Sequence, residues 1–334
     1  MFASLLACAS PDAAEPDAGT DVSASDQVVA EQLDALSTSD TDAGAADIQP
    51  PPDGPSFATF IGDWTMQPGS ETTRCVIKKL TNDKPIRVSA IQTALSPGSH
   101  HLIVYRVDPR AEKPTPFKCQ PFAGTLNGNA APLMISQVAD ETLRFPPGVA
   151  IELEAHQTLR IEAHYLNYFP EPITAHADVT FHTTEAEDVV PADFLFYGNI
   201  AVVVPPRETV VGDWMWLDAP DNSNVFAITG HTHRFGTNVE VLRATGLSDE
   251  GTPLYPLDTT FQWDESPVVY HSPPISFAPG EGFRFRCSWT NTSDAFVFFG
   301  ESADQEMCFL WAYYYPSNGF RVCAPPLFDC PADG

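Results

Sequence analysis

Residues 159–167 read LRIEAHYLN, a short run of apolar, aromatic and charged residues of the kind that forms a β-strand. Turn signals rich in Pro, Gly and Asn separate such runs at residues 96–98, 127–129 and 146–148. Prolines number 32 in 334 residues and charged residues make up only 18% of the chain, which favours many short strands over long helices. The other strand-like runs in this part of the chain are 74–79, 86–93, 101–106, 150–154 and 177–183. The sequence therefore predicts an all-β fold.

A charged, proline-flanked stretch at residues 185–191 interrupts this pattern, and a second series of strands follows it. Its strand-like runs are 199–204, 209–216, 224–229, 237–243, 282–289, 295–300 and 308–314. Two sets of short antiparallel strands of similar length predict two β-sandwiches side by side, at residues 57–187 and 193–323. Residues 324–334 are expected to form a C-terminal tail.

Residues 9–56 have a different composition, with many Ala, Asp, Ser and Pro and no Lys, Arg or aromatic residue. A segment with so little apolar surface is expected to be a disordered acidic tether. It carries 11 of the acidic residues, so much of the formal net charge of −27 lies outside the predicted sandwiches. The excess of acid excludes nucleic acid as a partner, since binding there needs Lys and Arg to neutralise phosphates. It also argues against a polybasic patch for membrane surfaces.

The seven cysteines are an odd number, which calls for one cysteine outside any disulfide. Residues 5–8 (LLAC) resemble a bacterial lipobox, in which a signal segment (residues 1–8 here) is cleaved before the cysteine and Cys8 is acylated. This implies a lipid-anchored or secreted protein of the bacterial cell envelope that touches the membrane only through its anchor. The alternative is a chance cysteine near the start of the chain. The sequence contains no apolar run of 18 residues or more that would span a membrane as a helix.

Histidines form the clearest candidate for chemistry. His231 and His233 are two positions apart, so on a strand both rings would point to one face. His100 and His101 are adjacent, and on a regular strand they would face opposite ways, so joint metal ligation needs a distorted strand entry. Each signal alone is weak, because such residues are often surface or structural histidines. That structural reading is the one adopted for four others: His156, His176, His182 and His271.

Five segments, in order and with plausible spacing, resemble the copper type II ascorbate-dependent monooxygenases, the family of dopamine β-hydroxylase and peptidylglycine α-hydroxylating monooxygenase. The segments are 99–105, 159–167, 231–236, 279–287 and 306–308, the last followed by 313–316. The resemblance covers about residues 57–323. It implies two tandem jelly-roll-like antiparallel β-sandwiches, each holding one copper ion.

The resemblance also implies a ligand set. The first copper would take His100, His101 and His164; the second would take His231, His233 and Met307. The two ions would face each other across a water-filled cleft without sharing ligands. The second would bind O₂ and hydroxylate a C–H bond, with His231, His233 and Met307 as its catalytic ligands. The first would store and deliver an electron from ascorbate or another one-electron donor. A soft thioether at the second site suits Cu(I).

Disulfide pairings are implied as well. Cys287 and Cys308 fit the family bridge that ends directly after the methionine ligand. Cys75 with Cys119 would clamp the first sandwich, and Cys323 with Cys330 would close a C-terminal loop. The alternative is free cysteines in a reducing compartment, which the signal-like start of the chain disfavours.

Three positions bear on the substrate. The peptide-amidating branch of the family has an Arg, an Asn and a Tyr where this chain has Thr229, Phe309 and Trp311. A substrate carboxylate would lose its bidentate partner there, so we predict no peptide amidation and a small apolar or aromatic substrate. Two alternatives stay open: a copper-binding or copper-buffering lipoprotein without turnover, and, more weakly, a zinc hydrolase built on the His231–His233 pair.

Overall fold

The computed structural model describes residues 53–122, 125, 130–255 and 261–325. Over these ranges the backbone consists of strands, turns and irregular segments, with no helix. The all-β prediction is therefore confirmed. The same ranges contain no helix that is long and apolar enough to cross a membrane. All of the described residues lie within one compact unit.

Strands divide between residues 56–191, here called the first half, and residues 193–323, the second half. The first half contains β1 (Ser56–Met66), β2 (Glu71–Lys79), β3 (Ile86–Leu95), β4 (Ser99–Arg106), β5 (Lys113–Lys118), β6 (Ala131–Ser136), β7 (Asp140–Arg144), β8 (Val149–Leu153), β9 (Thr158–Leu166), β10 (Ile173–Thr183) and β11 (Val190–Pro191). The second half contains β12 (Asp193–Gly198), β13 (Val203–Val204), β14 (Thr209–Val211), β15 (Met215–Asp218), β16 (Asn224–His231), β17 (Gly236–Ala244), β18 (Thr252–Pro253), β19 (Val269–Ser276), β20 (Gly282–Thr290), β21 (Val297–Phe298), β22 (Phe309–Tyr315) and β23 (Arg321–Cys323).

These strands form four main sheets, two in each half. Sheet I has the order β1-β10-β3-β8-β11, with β7 also on β3, and sheet II has the order β5-β2-β9-β4-β6. Sheet III has the order β19-β16-β22-β12-β23, and sheet IV has the order β14-β20-β17-β18, with β15 also on β20. A two-stranded ribbon joins β13 to β21. Pairing is antiparallel except for β8–β11 and β12–β23. Among the described residues, no strand of one half pairs with a strand of the other.

Sheets I and II share one apolar core. Strand β10 alternates between buried and more exposed positions, as expected for a strand with one face inward. Its buried Val179 and Phe181 belong to the same cluster as Val104 and Ile161 of sheet II. This core holds β4 and β9, which carry three of the predicted metal ligands.

The strands β16, β22 and β12 of sheet III are buried on both faces. On one face, Phe196, Trp311 and Tyr313 join the core of the first half. On the other, Tyr197 and Leu310 pack in a second core that also contains residues of sheet IV. Strand β12 is consequently buried along its whole length, and it lacks the alternation of a strand with one wet face. Apolar packing thus joins the two halves directly beside the predicted ligands.

Candidate metal centre

A local irregularity explains how two adjacent histidines face the same site. Strand β4 pairs with β9 so that His101 lies opposite His164 and Ser99 lies opposite Tyr165, which leaves His100 without a cross-strand partner. A β-bulge of this kind re-aims a side chain. Gly98, just before the bulge, has a φ of 87°, which favours glycine. The distorted strand entry required by the sequence is thus present.

The other two histidines are placed differently. His231 is the last residue of β16 and lies opposite Phe309 of β22. His233 lies beyond the strand, in the loop that leads to β17. The condition for two rings on one strand face is therefore not met by His233, because the strand ends at His231.

A buried carboxylate holds this loop. One Glu306 oxygen accepts hydrogen bonds from the backbone N–H groups of His233 (2.9 Å) and Met307 (3.2 Å) and from the indole N–H of Trp289 (2.9 Å). The other accepts from the N–H of Phe235 at 2.7 Å. Burial, the largest influence, raises the pKa of Glu306 to about 7, although these donors act to lower it. Sequence reasoning missed Glu306. The only sign of it in the sequence was an acidic residue directly before the run that begins at Met307, which the structure buries.

All five histidines lie in one cluster. The ring centroid of His100 lies 5.2 Å from that of His101, 5.3 Å from His164, 5.6 Å from His231 and 5.4 Å from His233. The expectation of two separate groups across a water-filled cleft is therefore wrong for this structure. The buried faces of sheets II and III bring the two groups into contact.

Two of the rings are oriented by partners on their far side. His231 Nδ1 lies 2.6 Å from Gln137 Oε1, and because an amide oxygen only accepts, the ring donates there and leaves Nε2 free. His233 Nδ1 likewise donates to the backbone oxygen of Gln305 at 3.1 Å. Gln137 follows β6 of the first half, and its side-chain N–H also donates to the carbonyl oxygen of Gly230 at 3.2 Å. A ligand of the second half is thus oriented by a residue of the first. Such outer partners fix the tautomer of ligating histidines.

His164 has a charged partner. Its Nε2 lies 2.8 Å from Glu71 Oε1, on the neighbouring strand β2. Burial by itself would raise the pKa of Glu71, but its hydrogen bond and charge interaction with His164 outweigh burial and lower that pKa. The same carboxylate accepts from the N–H of Ala303 at 3.3 Å and the hydroxyl of Ser302 at 3.4 Å. Glu71 thus connects His164 to the loop before Met307.

Burial favours the uncharged form of four of these rings, those of His100, His101, His231 and His233. All five histidines are buried, with at most 4% of their surface exposed. Burial, followed by neighbouring imidazoles, lowers the pKa of His100, His101 and His231 well below its ordinary value. Burial also lowers the pKa of His233, to about 4. Neutral imidazoles are the form that ligates a metal.

The donor atoms of the cluster fit a metal ion. Within the described part of the chain, several buried ring nitrogens have no hydrogen-bond partner: His100 Nε2, His101 Nδ1 and Nε2, His164 Nδ1, His231 Nε2 and His233 Nε2. Unpartnered buried polar atoms are costly unless something binds them. Two triads have ligand atoms within 4.8 Å of one another, namely His100–His101–His164 and His100–His231–His233. Imidazole ligands suit copper and zinc, and the chemistry of the donors alone does not separate these two.

Comparison with known families favours copper over zinc. Residues 218–327 match the family model described as copper type II ascorbate-dependent monooxygenase, C-terminal domain. This stretch of the second half is thus similar to the C-terminal domain of the copper type II ascorbate-dependent monooxygenases. The search of curated proteins found no match.

The matched region of this copper monooxygenase domain contains His231, His233 and Met307, whereas the first-half histidines lie outside it. Met307 is buried and belongs to the apolar cluster shared by the two halves. Its backbone N–H and that of His233 bond to the same Glu306 oxygen, so the two segments are fastened together. The role of Met307 as a copper ligand stays a prediction.

Two of the predicted disulfides are confirmed. Cys287–Cys308 joins β20 to the residue after Met307, and Cys75–Cys119 ties β2 to the segment after β5. Glu162 lies beside the Cys75–Cys119 bridge. Both sulfurs of that bridge are used in the disulfide, so no thiolate is available there for a metal. Cys323 is disulfide-bonded, whereas Cys330, its predicted partner, and the predicted lipidation site Cys8 lie outside the described residues.

The three predicted substrate-pocket residues are neighbours. The register of β16 and β22 places Thr229 opposite Trp311, two positions from the His231–Phe309 pair. All three are buried. The ring of Trp311 lies 5.7 Å from that of His231, and the indole N–H of Trp311 has no partner among the described residues.

Sequence reasoning also missed an aromatic neighbour of the cluster, Trp263, whose ring lies 5.3 Å from that of His100. Of the four histidines interpreted as structural or surface residues, His176 and His182 hydrogen-bond other side chains of sheet I or its edge. His156 is largely exposed beside Asp83.

Proposed function

We propose that this protein is a copper-dependent monooxygenase that hydroxylates a C–H bond of a small apolar or aromatic substrate. O₂ is the oxidant, and ascorbate or a similar one-electron donor is the reductant. One oxygen atom is inserted into the C–H bond to give a hydroxyl group, and the other takes up two electrons from the donor and two protons from solvent and leaves as water. The observation that carries the proposal is the cluster of five buried histidines with free ring nitrogens, in a chain with this family's C-terminal domain.

Two copper positions are assigned by ligand type. His100, His101 and His164 would hold one ion, and His231, His233 and Met307 the other. Bound copper supplies one-electron redox chemistry and a place for O₂. The soft sulfur of Met307 favours Cu(I), the form that meets O₂, whereas imidazoles tolerate both oxidation states.

The residues around the metal positions orient ligands and exclude water. The Gln137 side chain accepts a hydrogen bond from Nδ1–H of His231, and the Gln305 carbonyl accepts one from Nδ1–H of His233. Each Nε2 therefore keeps its lone pair for a metal ion. Glu306 fixes the backbone between the imidazole and thioether ligands. Exposure of the five histidines is 4% or less, which favours reaction over release of reactive species into water.

The substrate class follows from Thr229, Phe309 and Trp311. None of these three residues carries a positive charge, so a peptide carboxylate would be buried there without a charged partner. Phe309 stacks on Phe196 at 4.7 Å, and Trp311 stacks on the same ring at 6.0 Å. An apolar or aromatic substrate is compatible with this aromatic surface, whereas the carboxylate of a peptide substrate is not.

Oxygen uptake tests the proposal. Copper-loaded protein with ascorbate should consume O₂ when an aromatic amine is added and should not amidate a glycine-extended peptide. Met307→Leu keeps the side-chain volume but removes the sulfur, and it should abolish uptake. Met66→Leu, at an equally buried methionine of β1, is the matched control and should keep it.

Two results would overturn the proposal. Uptake that survives Met307→Leu removes the role of the second copper. Copper binding without substrate-dependent uptake favours a copper-buffering protein instead.

We also propose the finer architecture and the location. Residues 57–187 and 193–323 are assigned as tandem jelly-roll-like sandwiches, each with one copper position. Cys8 is assigned as the lipid anchor, followed by the acidic tether of residues 9–56, in a bacterial cell envelope. Cys8→Ser should move the protein from the membrane fraction to the soluble fraction, and unchanged fractionation would refute the anchor.

A further inference from the structure

Phe122 is an aromatic residue of the first half that lies against histidines of both groups. Its ring centroid lies 5.2 Å from that of His101 and 6.5 Å from that of His231. The residue is only 3% exposed, so nearly all of its surface is used in contacts within the protein. Phe122 carries no ligand atom, and its position beside the histidines therefore calls for another role.

The same ring continues the aromatic surface of the second half. It stacks on Phe309 at 6.5 Å, with the two ring planes 17° apart, and it contacts Phe196 at 5.8 Å. Phe309 belongs to the predicted substrate pocket, and Phe196 stacks on Phe309. Phe122 thus contacts the aromatic surface on one side and the histidines on the other.

We propose that Phe122 determines the size of the substrate, because its ring occupies the first-half end of the aromatic pocket. The inference rests on the proposed function for the location of that pocket, beside Phe309 and Trp311. Protein interiors are close-packed, so a ligand larger than the available space is excluded. A substrate with one aromatic ring is expected to fit, whereas a fused two-ring system needs the volume that the Phe122 ring takes.

The backbone of Phe122 has an uncommon conformation. Its φ of 53° lies in the left-handed region, which a bulky residue rarely adopts. Such a conformation persists only where the surrounding structure imposes it, and it occurs preferentially at functional sites. The ring therefore depends on specific contacts to stay beside the histidines.

Glu162 supplies one of these contacts. Its Oε1 accepts a hydrogen bond from the backbone N–H of Phe122 at 2.8 Å. The carboxylate is fully buried, and a guanidinium nitrogen of Arg160 lies 3.4 Å from its other oxygen. A hydrogen bond to an ionised, buried acceptor is among the stronger ones in proteins. Glu162 is accordingly a positioning residue that acts through Phe122.

The Cys75–Cys119 bridge supplies another. Cys119 precedes Phe122 by three positions, and its disulfide ties this segment to β2. The chain is thus fixed before Phe122 by the bridge and at Phe122 by Glu162. A ring that limits substrate size needs such anchoring, because a mobile ring would give way to a larger molecule.

A pair of aromatic amines tests the inference. Benzylamine has one ring and naphthylmethylamine has two, with the same amine group. Calorimetry measures the affinity of the copper-loaded, full-length protein for each, and the ratio of the two affinities gives the size preference. Phe122→Ala removes a phenyl ring, and an apolar cavity of that size takes up an aromatic molecule. The ratio should shift toward naphthylmethylamine by at least about tenfold, since one methylene in an apolar pocket already changes selectivity by about 10–200-fold.

Phe181→Ala is the matched control. Phe181 is a similarly buried phenylalanine of β10, in the core between sheets I and II. Both variants lose packing and should be less stable than the wild type, but only Phe122→Ala should change the size preference. Phe122→Leu keeps more side-chain volume and should give a smaller shift in the same direction, and it takes the place of Phe122→Ala if that variant does not fold.

Two variants of Glu162 test its positioning role. Glu162→Ala should shift the affinity ratio in the same direction, because the N–H of Phe122 loses its acceptor. Glu162→Gln should retain most of the wild-type ratio, since the amide oxygen still accepts that bond.

The outcomes are distinct. An affinity ratio that stays the same in Phe122→Ala and Phe122→Leu overturns the inference, and so does the absence of any binding of either amine to the Phe122 variants. Oxygen uptake with ascorbate, measured in parallel, addresses the proposed function. A shifted ratio in a protein that consumes no O₂ supports the role of Phe122 but contradicts the monooxygenase.

Discussion

The two groups of histidines are built in different ways. His101 and His164 lie opposite each other on two hydrogen-bonded strands in the middle of sheet II. His231 ends a strand and His233 lies in a loop, where Glu306 and the Cys287–Cys308 bridge hold the surrounding chain. Many backbone hydrogen bonds between strands position the first group, whereas a few side chains position the second. Single substitutions should therefore damage the second group more than the first.

Glu306→Ala should have the largest effect. It removes the acceptor for the N–H groups of His233, Phe235 and Met307 and the indole of Trp289, all of them buried. Each buried donor left unpaired costs about 1–3 kcal/mol, so the free energy of unfolding should fall by on the order of 4 kcal/mol. Denaturant unfolding measures this loss.

Glu240→Ala is its control. Glu240 lies in the same half and pairs with Arg286 in a partly exposed ion pair, so its loss should cost less than about 1 kcal/mol. Copper titration of Glu306→Ala should show weakened binding at His231 and His233 and retained binding at His101 and His164. Equal weakening of both groups would contradict the comparison.

Disulfide removal compares the two halves directly. Cys287→Ala/Cys308→Ala and Cys75→Ala/Cys119→Ala remove bridges that close 21 and 44 residues, and each should lower stability by about 2–4 kcal/mol. Only the first variant should weaken copper binding in the second half, because Cys308 directly follows Met307. Equal copper binding by both variants would contradict the proposed difference between the two groups of histidines.

Gln137→Leu should have an intermediate effect. It leaves the Nδ1 proton of His231 buried without an acceptor, which costs about 1–3 kcal/mol. Copper affinity at the second group should fall 10–100-fold, because the ring loses the partner that fixes its orientation. Gln157→Leu removes an equally buried amide that bonds the carbonyls of Val107 and Thr158, and it should lower stability but leave copper affinity unchanged. Equal copper affinities in the two variants would remove the positioning role of Gln137.

The smallest effect concerns a histidine of sheet I. Burial, the largest single influence, lowers the pKa of His176, but its bonds to Asp63 and Asp178 outweigh burial and raise that pKa above 6.5. A raised histidine pKa stabilises the fold below the unfolded pKa, and this stabilisation is lost as pH rises through the folded pKa. His176→Gln should therefore cost more at pH 6 than at pH 9, by less than about 1 kcal/mol, and should not change copper binding.

For His182, on the same strand, we expect the opposite dependence of stability on pH. Burial lowers its pKa, so its protonation in the unfolded chain destabilises the fold as pH falls below about 6.5. His182→Gln should accordingly cost less at pH 5 than at pH 9. Thermal unfolding across this pH range measures both variants, and the same pH trend in both would show that these partners do not control stability.

Much of the fold and the residues of the candidate site could be predicted from the sequence, while their role as ligands stays a prediction. Strand periodicity and turn residues act locally, so the all-β class followed from runs such as 159–167. The resemblance to the copper monooxygenases led to the disulfide between Cys287 and Cys308, which is present. Whether His233 lies on a strand could not be predicted, because strand length depends on pairing with β22, which a local pattern does not contain.

By itself, the sequence determined the residue types of the candidate site: five of the nine histidines, one of the five methionines and paired cysteines in an all-β chain. Only the tertiary structure decided that these histidines meet, with His100 between the two groups. It also revealed that Gln137 orients His231 across 94 positions of sequence and that Glu71 reaches both His164 and Ala303. The physical reason is that these contacts come from the packing of sheet III against the core of the first half. Side-chain shape across an interface sets that packing, and no periodicity along the chain encodes it.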